Sequence, residues 1–426
     1  MNRKISHMGI AALMAATAAT ALGACATQNK NQDTDGQQAV KSDDNIDAGY
    51  LVMSDDQREA VANTNDFAFN LYRTQAGMDS RVVSPISVAY LMGMLANGAN
   101  GTTESEIMKA LCLDATSLTT LNETYKAIIA TAPSLDSQTQ VNIANCIAVN
   151  KPFALKADYS AAVKALYDAQ VVSMDFASKK TLAAINGWCD KQTHGMIPKI
   201  VDSLDPGMAA VLMNAIYFNG SWAEKFDKAG TKTENFRGYT RDIKKVQMMH
   251  QENKFMYIDN SDYAAVRLPY GNGAYAMTVV LPAEGKSVSD IVATLDDGKF
   301  VKMQNAMEKC VVDLKLPRFT TSTETQLNKP ISALGAPSIF EGSADFSKMS
   351  DTPLYVSTMF QKAKIEVSEE GTKAAAVTAG IMAMASLHHD EPRRVTFHAN
   401  RPFLYLITER STNAIFFIGQ YTGDTE

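Results

Sequence analysis

The chain is poor in cysteine, with five in 426 residues. Apart from Cys25 they stand far apart, at 112, 146, 189 and 310, without CxxC spacing, and signal neither a metal site nor a redox pair. Cys146 falls within a strand-like run, residues 141–149, where a buried thiol is expected. Two cysteines of an exported chain could pair, but four unpaired thiols are the expectation. No stripe of Lys and Arg occurs and the net charge is -6, which argues against nucleic acid as a partner. Long hydrophobic runs are absent too: the uncharged stretch 8–24 is too short and too rich in Ala and Thr for a membrane span. There is no GxSxG elbow and no HExxH. Gly271-Asn272-Gly273 is followed by the strand-like run 277–280 rather than a helix. His194, His250 and His398 are scattered without an adjacent nucleophile, so the chain shows no active site for turnover and calls for no cofactor. His388-His389-Asp390-Glu391 invites a metal reading, but adjacent histidines on a loop lack a fixed geometry, and no metal site is expected.

What is present reads as a folded domain behind an export segment. Composition is globular, 46% hydrophobic and 20% charged. Arg3 and Lys4 precede the uncharged stretch, so residues 1–24 are expected to be a signal. Leu22-Gly23-Ala24-Cys25 resembles a bacterial lipoprotein box that would lipidate Cys25; a plain secretory signal cut near Ala24 or Ala26 is the alternative. Residues 25–56, rich in Gln, Asn, Asp and Ser, read as a disordered tether. The protein would then be exported and held in the cell envelope, touching membrane through its lipid alone.

From residue 57 no linker, repeat or composition break appears, and 57–426 is read as one domain. Helical patterns dominate its first half, at 57–74, 84–98, 103–111, 118–132, 157–166 and 179–194. Strand patterns dominate the second, at 209–218, 242–249, 254–258, 263–269, 274–281, 311–319, 354–357, 364–367, 395–397, 403–407 and 414–418, with helices at 288–295 and 301–307. This segregation implies an α+β fold.

The most specific feature is residues 369–386, an acidic hinge followed by a long run of small side chains. Alternation puts Thr372, Ala374, Ala376, Thr378, Gly380 and Met382 on one face and Lys373, Ala375, Val377, Ala379 and Ile381 on the other, which is expected to face solvent. Extended, 371–385 would span roughly 45 Å at about 3.3 Å per residue, enough to cross a whole sheet. Composition alone favours a flexible surface loop; the strand patterns on both sides reverse that and favour a mobile strand between rigid ones. Glu369, Glu370, Gly371, Thr372, Lys373, Ala374, Ala375 and Ala376 form the hinge, where Gly371 removes a Cβ and Thr372 brings no charge inward.

The domain resembles the serpin family. The resemblance is carried by Asn65-Asp66-Phe67-Ala68-Phe69-Asn70-Leu71-Tyr72, Val83-Ser84-Pro85-Ile86-Ser87, Gly98-Ala99-Asn100-Gly101-Thr102-Thr103 and Ile185-Asn186-Gly187-Trp188. It continues through Thr193-His194-Gly195-Met196-Ile197, Asn214-Ala215-Ile216-Tyr217-Phe218-Asn219-Gly220-Ser221-Trp222, Leu316-Pro317-Arg318-Phe319, Ala344-Asp345-Phe346 and Asn400-Arg401-Pro402-Phe403-Leu404. It implies three β-sheets, eight or nine helices and an exposed reactive loop, about 369–396, that baits a serine or cysteine protease. After cleavage the loop would insert into the central sheet and trap the enzyme as an acyl intermediate. The bait bond would be Ala385-Ser386, sixteen positions beyond Glu369, with Met384-Ala385 the runner-up. A small apolar residue there suits an elastase-like or subtilisin-like protease, acting on a monomeric inhibitor. The other class is a non-inhibitory binding protein that is merely cleaved.

The resemblance also implies a group controlling the sheet opening, Ser84, Ser87, Asn186, Gln361 and Trp222. Gln361 stands where many members carry His, and a substitute bond to Ser84 or Asn186 is expected. At the loop base Glu369 is expected to pair with Arg318.

Overall fold

The computed structural model describes residues 49–75, 77–113, 116–372 and 392–424. The signal segment, Cys25 and the tether up to residue 48 lie outside the described residues. So do Lys373, Ala374, Ala375, Ala376, Met384, Ala385, Ser386 and the histidines at 388 and 389.

Nine α-helices occur among the described residues. They are α1 (Asp55–Arg73), α2 (Pro85–Gly98), α3 (Gly101–Ala110), α4 (Leu118–Thr131), α5 (Ala157–Tyr167), α6 (Lys179–Gln192), α7 (Val288–Thr294), α8 (Asp297–Ala306) and α9 (Asn328–Ala333). The strands are β1 (Arg81–Val83), β2 (Thr139–Asn150), β3 (Ala169–Met174), β4 (Ala210–Ser221), β5 (Lys232–Arg237), β6 (Ile243–Asp259), β7 (Tyr263–Tyr270) and β8 (Tyr275–Pro282). They continue with β9 (Glu308–Pro317), β10 (Phe319–Gln326), β11 (Phe360–Ser368), β12 (Gly371–Thr372), β13 (Arg394–His398), β14 (Phe403–Glu409) and β15 (Ile415–Tyr421). The α+β expectation holds.

Two hydrogen-bonded sheets result. The central one runs β10-β11-β12-β4-β2-β3; the other runs β1-β15-β14-β8-β7-β6-β9-β13 with β5 on β6. Where three sheets are expected, the second and third are joined along β6, which pairs with β5, β9 and β7 in succession. The two segments read as separate strands at 242–249 and 254–258 are therefore one strand of 17 residues.

Local chemistry explains the elements that position the site. Ser54 and Gln57 form a reciprocal capping box that starts α1 two residues before the expected boundary. Leu51 and Met53 are already buried, and Leu51 N–H donates to Ser411 Oγ, so the last residues assigned to the tether belong to the packed domain. α2 opens with Pro85 at its first turn and is apolar on nearly every side, as a helix enclosed by core must be. It packs against β4 and β15, while α6 covers the opposite face of β4 and β2. Consequently β4 faces two cores: Ile216 and Phe218 pack into the main one, whereas Met213, Ala215 and Tyr217 pack with Ile185 and Cys189 of α6.

Residues 354–357, read as a strand, pair with neither sheet. They form extended chain, tied by Val356 N–H to Ile339 O, that lines a cavity. Leu354 and Val356 are half-buried while Tyr355 is exposed, so the alternation reported one covered side, which does not require a strand partner. β10 escaped the sequence reading for the opposite reason: its Thr-rich polar run is held by pairing to β11 along its whole length. Cys112, Cys146, Cys189 and Cys310 form no disulfide; Asn70 Nδ2–H donates to the Cys112 sulfur, and burial pushes Cys146 up to about 11 and Cys189 up to about 12, leaving both unreactive. No helix among the described residues is long and apolar enough to cross a membrane.

Candidate functional site: a parted sheet and its hinge

Among the described residues β4 and β11 are joined only through β12, a two-residue strand at the head of the sheet. Gly371 and Thr372 pair with Ser221 and Gly220 of β4 on one side and with Ser368 and Val367 of β11 on the other. At the foot of the same two strands lies a cavity of about 280 Å³, bounded by Ala210 to Asn214 of β4, by Phe360 to Lys362 of β11 and by Ser87 and Leu91 of α2. The sheet is thus parted along one seam, and the hinge occupies its top.

Each backbone carbonyl leading into the hinge accepts a bond from the segment that follows β4. Trp222 Nε1–H donates to Ser368 O at 2.9 Å, Phe226 N–H to Glu369 O at 3.0 Å and Trp222 N–H to Glu370 O at 3.0 Å. Gly371 then adopts φ of +145°, and a Cβ on it would lie 2.1 Å from Gly220 O. Close approach to the backbone of β4 therefore demands glycine there. Thr372 is fully buried, and its Oγ1 lies 2.6 Å from the Tyr270 hydroxyl. Burial holds the Tyr270 phenol well above its ordinary value, so it stays a neutral hydroxyl partner. Tyr270 in turn stacks on Trp222, with ring centres 4.5 Å apart and planes 11° apart.

The two glutamates of the hinge are held differently. Glu369 is buried, accepts from Thr231 Oγ1 at 2.7 Å and lies 3.7 Å from Arg318 Nη1. The expected pair is brought together, although Thr231, absent from the sequence reading, is the closer partner. Glu370 lies between Lys225 and Lys228, whose hydrogen bonds hold its carboxyl below the usual glutamate range.

Lower on the seam, Gln361 reads both backbone groups of one residue. Ser84 N–H donates to Gln361 Oε1 at 3.0 Å, and Gln361 Nε2–H donates to Ser84 O at 2.7 Å. The Ser84 and Ser87 hydroxyls lie 2.9 Å apart beside them. Of the two partners expected for Gln361, the structure selects Ser84. Asn186 is elsewhere: on α6 it accepts from Ile200 N–H and Val201 N–H and donates to Val201 O, fastening a local loop. The asparagine bordering the seam is Asn214 of β4, which donates to Asn145. Trp222 also departs from the expected group, since it sits at the hinge and not beneath the opening. Both corrections follow from topology, because nothing in residue type tells one asparagine or tryptophan from another.

The far side of the loop returns through β13, an edge strand paired in parallel to β9. Asp313 of β9 fastens it with one oxygen 3.0 Å from His398 Nε2 and the other 2.8 Å from His250 Nε2 of β6. Burial works to raise the Asp313 carboxyl, but the bonds from His250 and His398 hold it below the ordinary aspartate value. A depressed carboxyl stabilises the fold above the ordinary aspartate range, and that contribution is lost as pH falls through the folded value. In Asp313→Asn, amide exchange over residues 394–398, corrected for intrinsic rates, is expected to be ~3-fold faster at neutral pH, the modest size befitting partly exposed groups. Wild-type protection should fall on acidification below the aspartate range, and the variant should show no such step. Among the described residues no cluster of three or more His, Cys, Asp or Glu could hold a metal ion.

The family model described as Serpin (serine protease inhibitor) matches residues 62–423. Leukocyte elastase inhibitor of Sus scrofa is 32% identical over 378 residues, covering 85% of this chain and 98% of that protein. The thermophilic serpin tengpin in its native state superposes with a TM-score of 0.78 at 29% identity, covering 88% of this chain and all of tengpin. Human thyroxine-binding globulin does so with a TM-score of 0.78 at 28% identity, covering 87% of this chain and all of the globulin. The fold is therefore found both in an elastase inhibitor's family and in a thyroxine-binding globulin. With a family match from end to end of the folded domain, and a parted central sheet whose hinge sits in the seam, the chain belongs to the serpin family.

Proposed function

We propose that the protein is a suicide-substrate inhibitor of serine proteases with a small apolar primary pocket, elastase-like or subtilisin-like. The observation that supports this most is the docked first rung of an inserted strand. Continuing the Gly371–Ser221 and Thr372–Gly220 pairing downward sets Met382 opposite Ala210, the first residue of β4. The run of small residues matches the length of the strand it would join.

The same register gives each loop residue a place. Thr372, Ala374, Ala376, Thr378, Gly380 and Met382 would share the face of Gly220 and Phe218, toward the main core. Thr378 would fall between Asn214 on β4 and Gln361 on β11, where its hydroxyl meets polar partners. The other face is covered by α6 under Met213, Ala215 and Tyr217, so the solvent expected for Ala375, Val377, Ala379 and Ile381 gives way to a second packed layer. Only Lys373, opposite Asn219, would stay near the edge. A charge at any lower position of that face would be buried at a cost of several kcal/mol, and the chain has none.

In the reaction the protease serine oxygen attacks the Ala385 carbonyl, the Ala385-Ser386 bond breaks, and the amine of Ser386 leaves with a proton. The freed loop enters the seam and carries the acylated enzyme with it, before water can complete deacylation. Export with lipid attachment at Cys25 would place this trap at the cell envelope; Leu22-Gly23-Ala24-Cys25 supports that placement.

Incubation with an elastase-like protease should yield an SDS-stable adduct and a C-terminal fragment, separated on denaturation, whose mass begins at Ser386. A fragment beginning at Arg394 or later would overturn the bait assignment, and complete cleavage without adduct would favour the carrier class.

A further inference from the structure

Lys225 and Lys228 have no part in the trap as set out above, and they carry an inference that rests on that reading yet can be measured apart from it. Each ammonium takes one oxygen of the same carboxylate: Lys225 Nζ lies 2.9 Å from Glu370 Oε2 and Lys228 Nζ lies 3.0 Å from Oε1. Glu370 keeps only 25% of its side chain exposed and Lys225 32%, whereas Lys228 is 70% exposed. The segment bearing these lysines also holds the loop base by its backbone, through Phe226 N–H to Glu369 O and Trp222 N–H to Glu370 O.

Residue 370 is followed immediately by the rung that pairs with both neighbouring strands. A slip of one residue exchanges every side chain of a strand between its faces. Here it would bring Lys373 to the fully buried place of Thr372 beside Tyr270, and every later residue would face the wrong layer. Small side chains supply little shape to correct such a slip, because Ala374, Ala375 and Ala376 are interchangeable. Register must therefore be set before the run begins.

We propose that Lys225 and Lys228 are positioning residues that pin Glu370 and, through it, the Gly371–Thr372 rung, so that the cut loop enters the sheet in a single register. Their grip is the same before and after cleavage, since the pairs made by Gly371 and Thr372 are already those of the inserted strand. Lysines elsewhere on the surface that pair with one exposed carboxylate, such as Lys286 with Asp262, have no rung to hold.

The test compares wild type with Lys225→Ala/Lys228→Ala after the loop is nicked by a trace of a broad-specificity protease. The readout is the time course of the gain in resistance to unfolding, while the midpoint of the intact protein serves as control. The double-alanine variant should insert ~5-fold more slowly at an unchanged intact midpoint, a factor equivalent to about 1 kcal/mol. Lys225→Arg/Lys228→Arg should keep the wild-type rate. A wild-type rate in the alanine variant, or a slow arginine variant, would overturn the pin. If nicked wild type gains no resistance at all, the trap reading fails instead. The pin is then decided in the intact protein by hydrogen–deuterium exchange over residues 368–372. Exchange ~5-fold faster in the alanine variant would support it, and equal exchange would overturn it.

Discussion

Thr372→Arg should turn the inhibitor into a substrate. Thr372 is fully buried between β4 and β11 with its hydroxyl on Tyr270, and a guanidinium there would be desolvated without an acid partner, at a cost of several kcal/mol. The rung would leave the seam and insertion would lose its first step. At about 1.4 kcal/mol per tenfold, the yield of SDS-stable adduct per cleavage should fall by about 100-fold or more. Cleavage of the loop itself should continue, because the bait bond lies thirteen residues further on. The intact protein should unfold near the wild-type temperature, since a two-residue strand can swing into solvent. Thr372→Ser, which keeps the hydroxyl, should behave as wild type. Gel titration against an elastase-like protease reads all three outcomes.

Gln361→Leu should weaken the whole domain and loosen the seam together. The amide of Gln361 satisfies both backbone groups of Ser84, which is 1% exposed. Leucine would leave the buried Ser84 N–H without a partner, at about 1–3 kcal/mol, and its C=O with only the 3.4 Å bond from Val88 N–H. For a domain of this size the midpoint of thermal unfolding should drop by ~3–6 °C. The same bonds tie α2 to β11, so their loss should also let an uncut loop enter the seam more readily on storage, read as a slow decline in adduct yield. Gln361→His should fall between leucine and wild type, because the donor and acceptor nitrogens of a neutral imidazole diverge across the ring and only one of them can reach the Ser84 backbone.

The parts of this site legible in the sequence were those written in consecutive residues. Glu369 to Ala376 announced a hinge because charge, glycine and small side chains follow one another, and Gly371 and Thr372 sit where that order placed them. The longer helices were equally plain, since their patterns are local, whereas the six-residue α9 left none. What escaped depends on chain segments far apart. Thr231, Lys225 and Lys228 hold the hinge from 138 to 145 positions away, and no pattern near residues 222–231 hints at a partner in the loop. Asn186 and Asn214 both stand in motifs that carry the family resemblance, yet only the path of β4 brings one to the seam while α6 turns the other toward Val201. Alternation tells the two faces of a strand apart without telling what covers each, and on β4 the face away from the main core lies under α6.

The central claim is that the seam between β4 and β11 accepts the cut loop as a strand. It is tested most directly by thermal unfolding of the intact protein and of the same protein nicked once within residues 383–391. A twelve-residue strand gaining partners on both sides should raise the midpoint by ~10 °C or more, with the fragment from the nick retained until the domain melts. An unchanged or lowered midpoint after a single nick would contradict it.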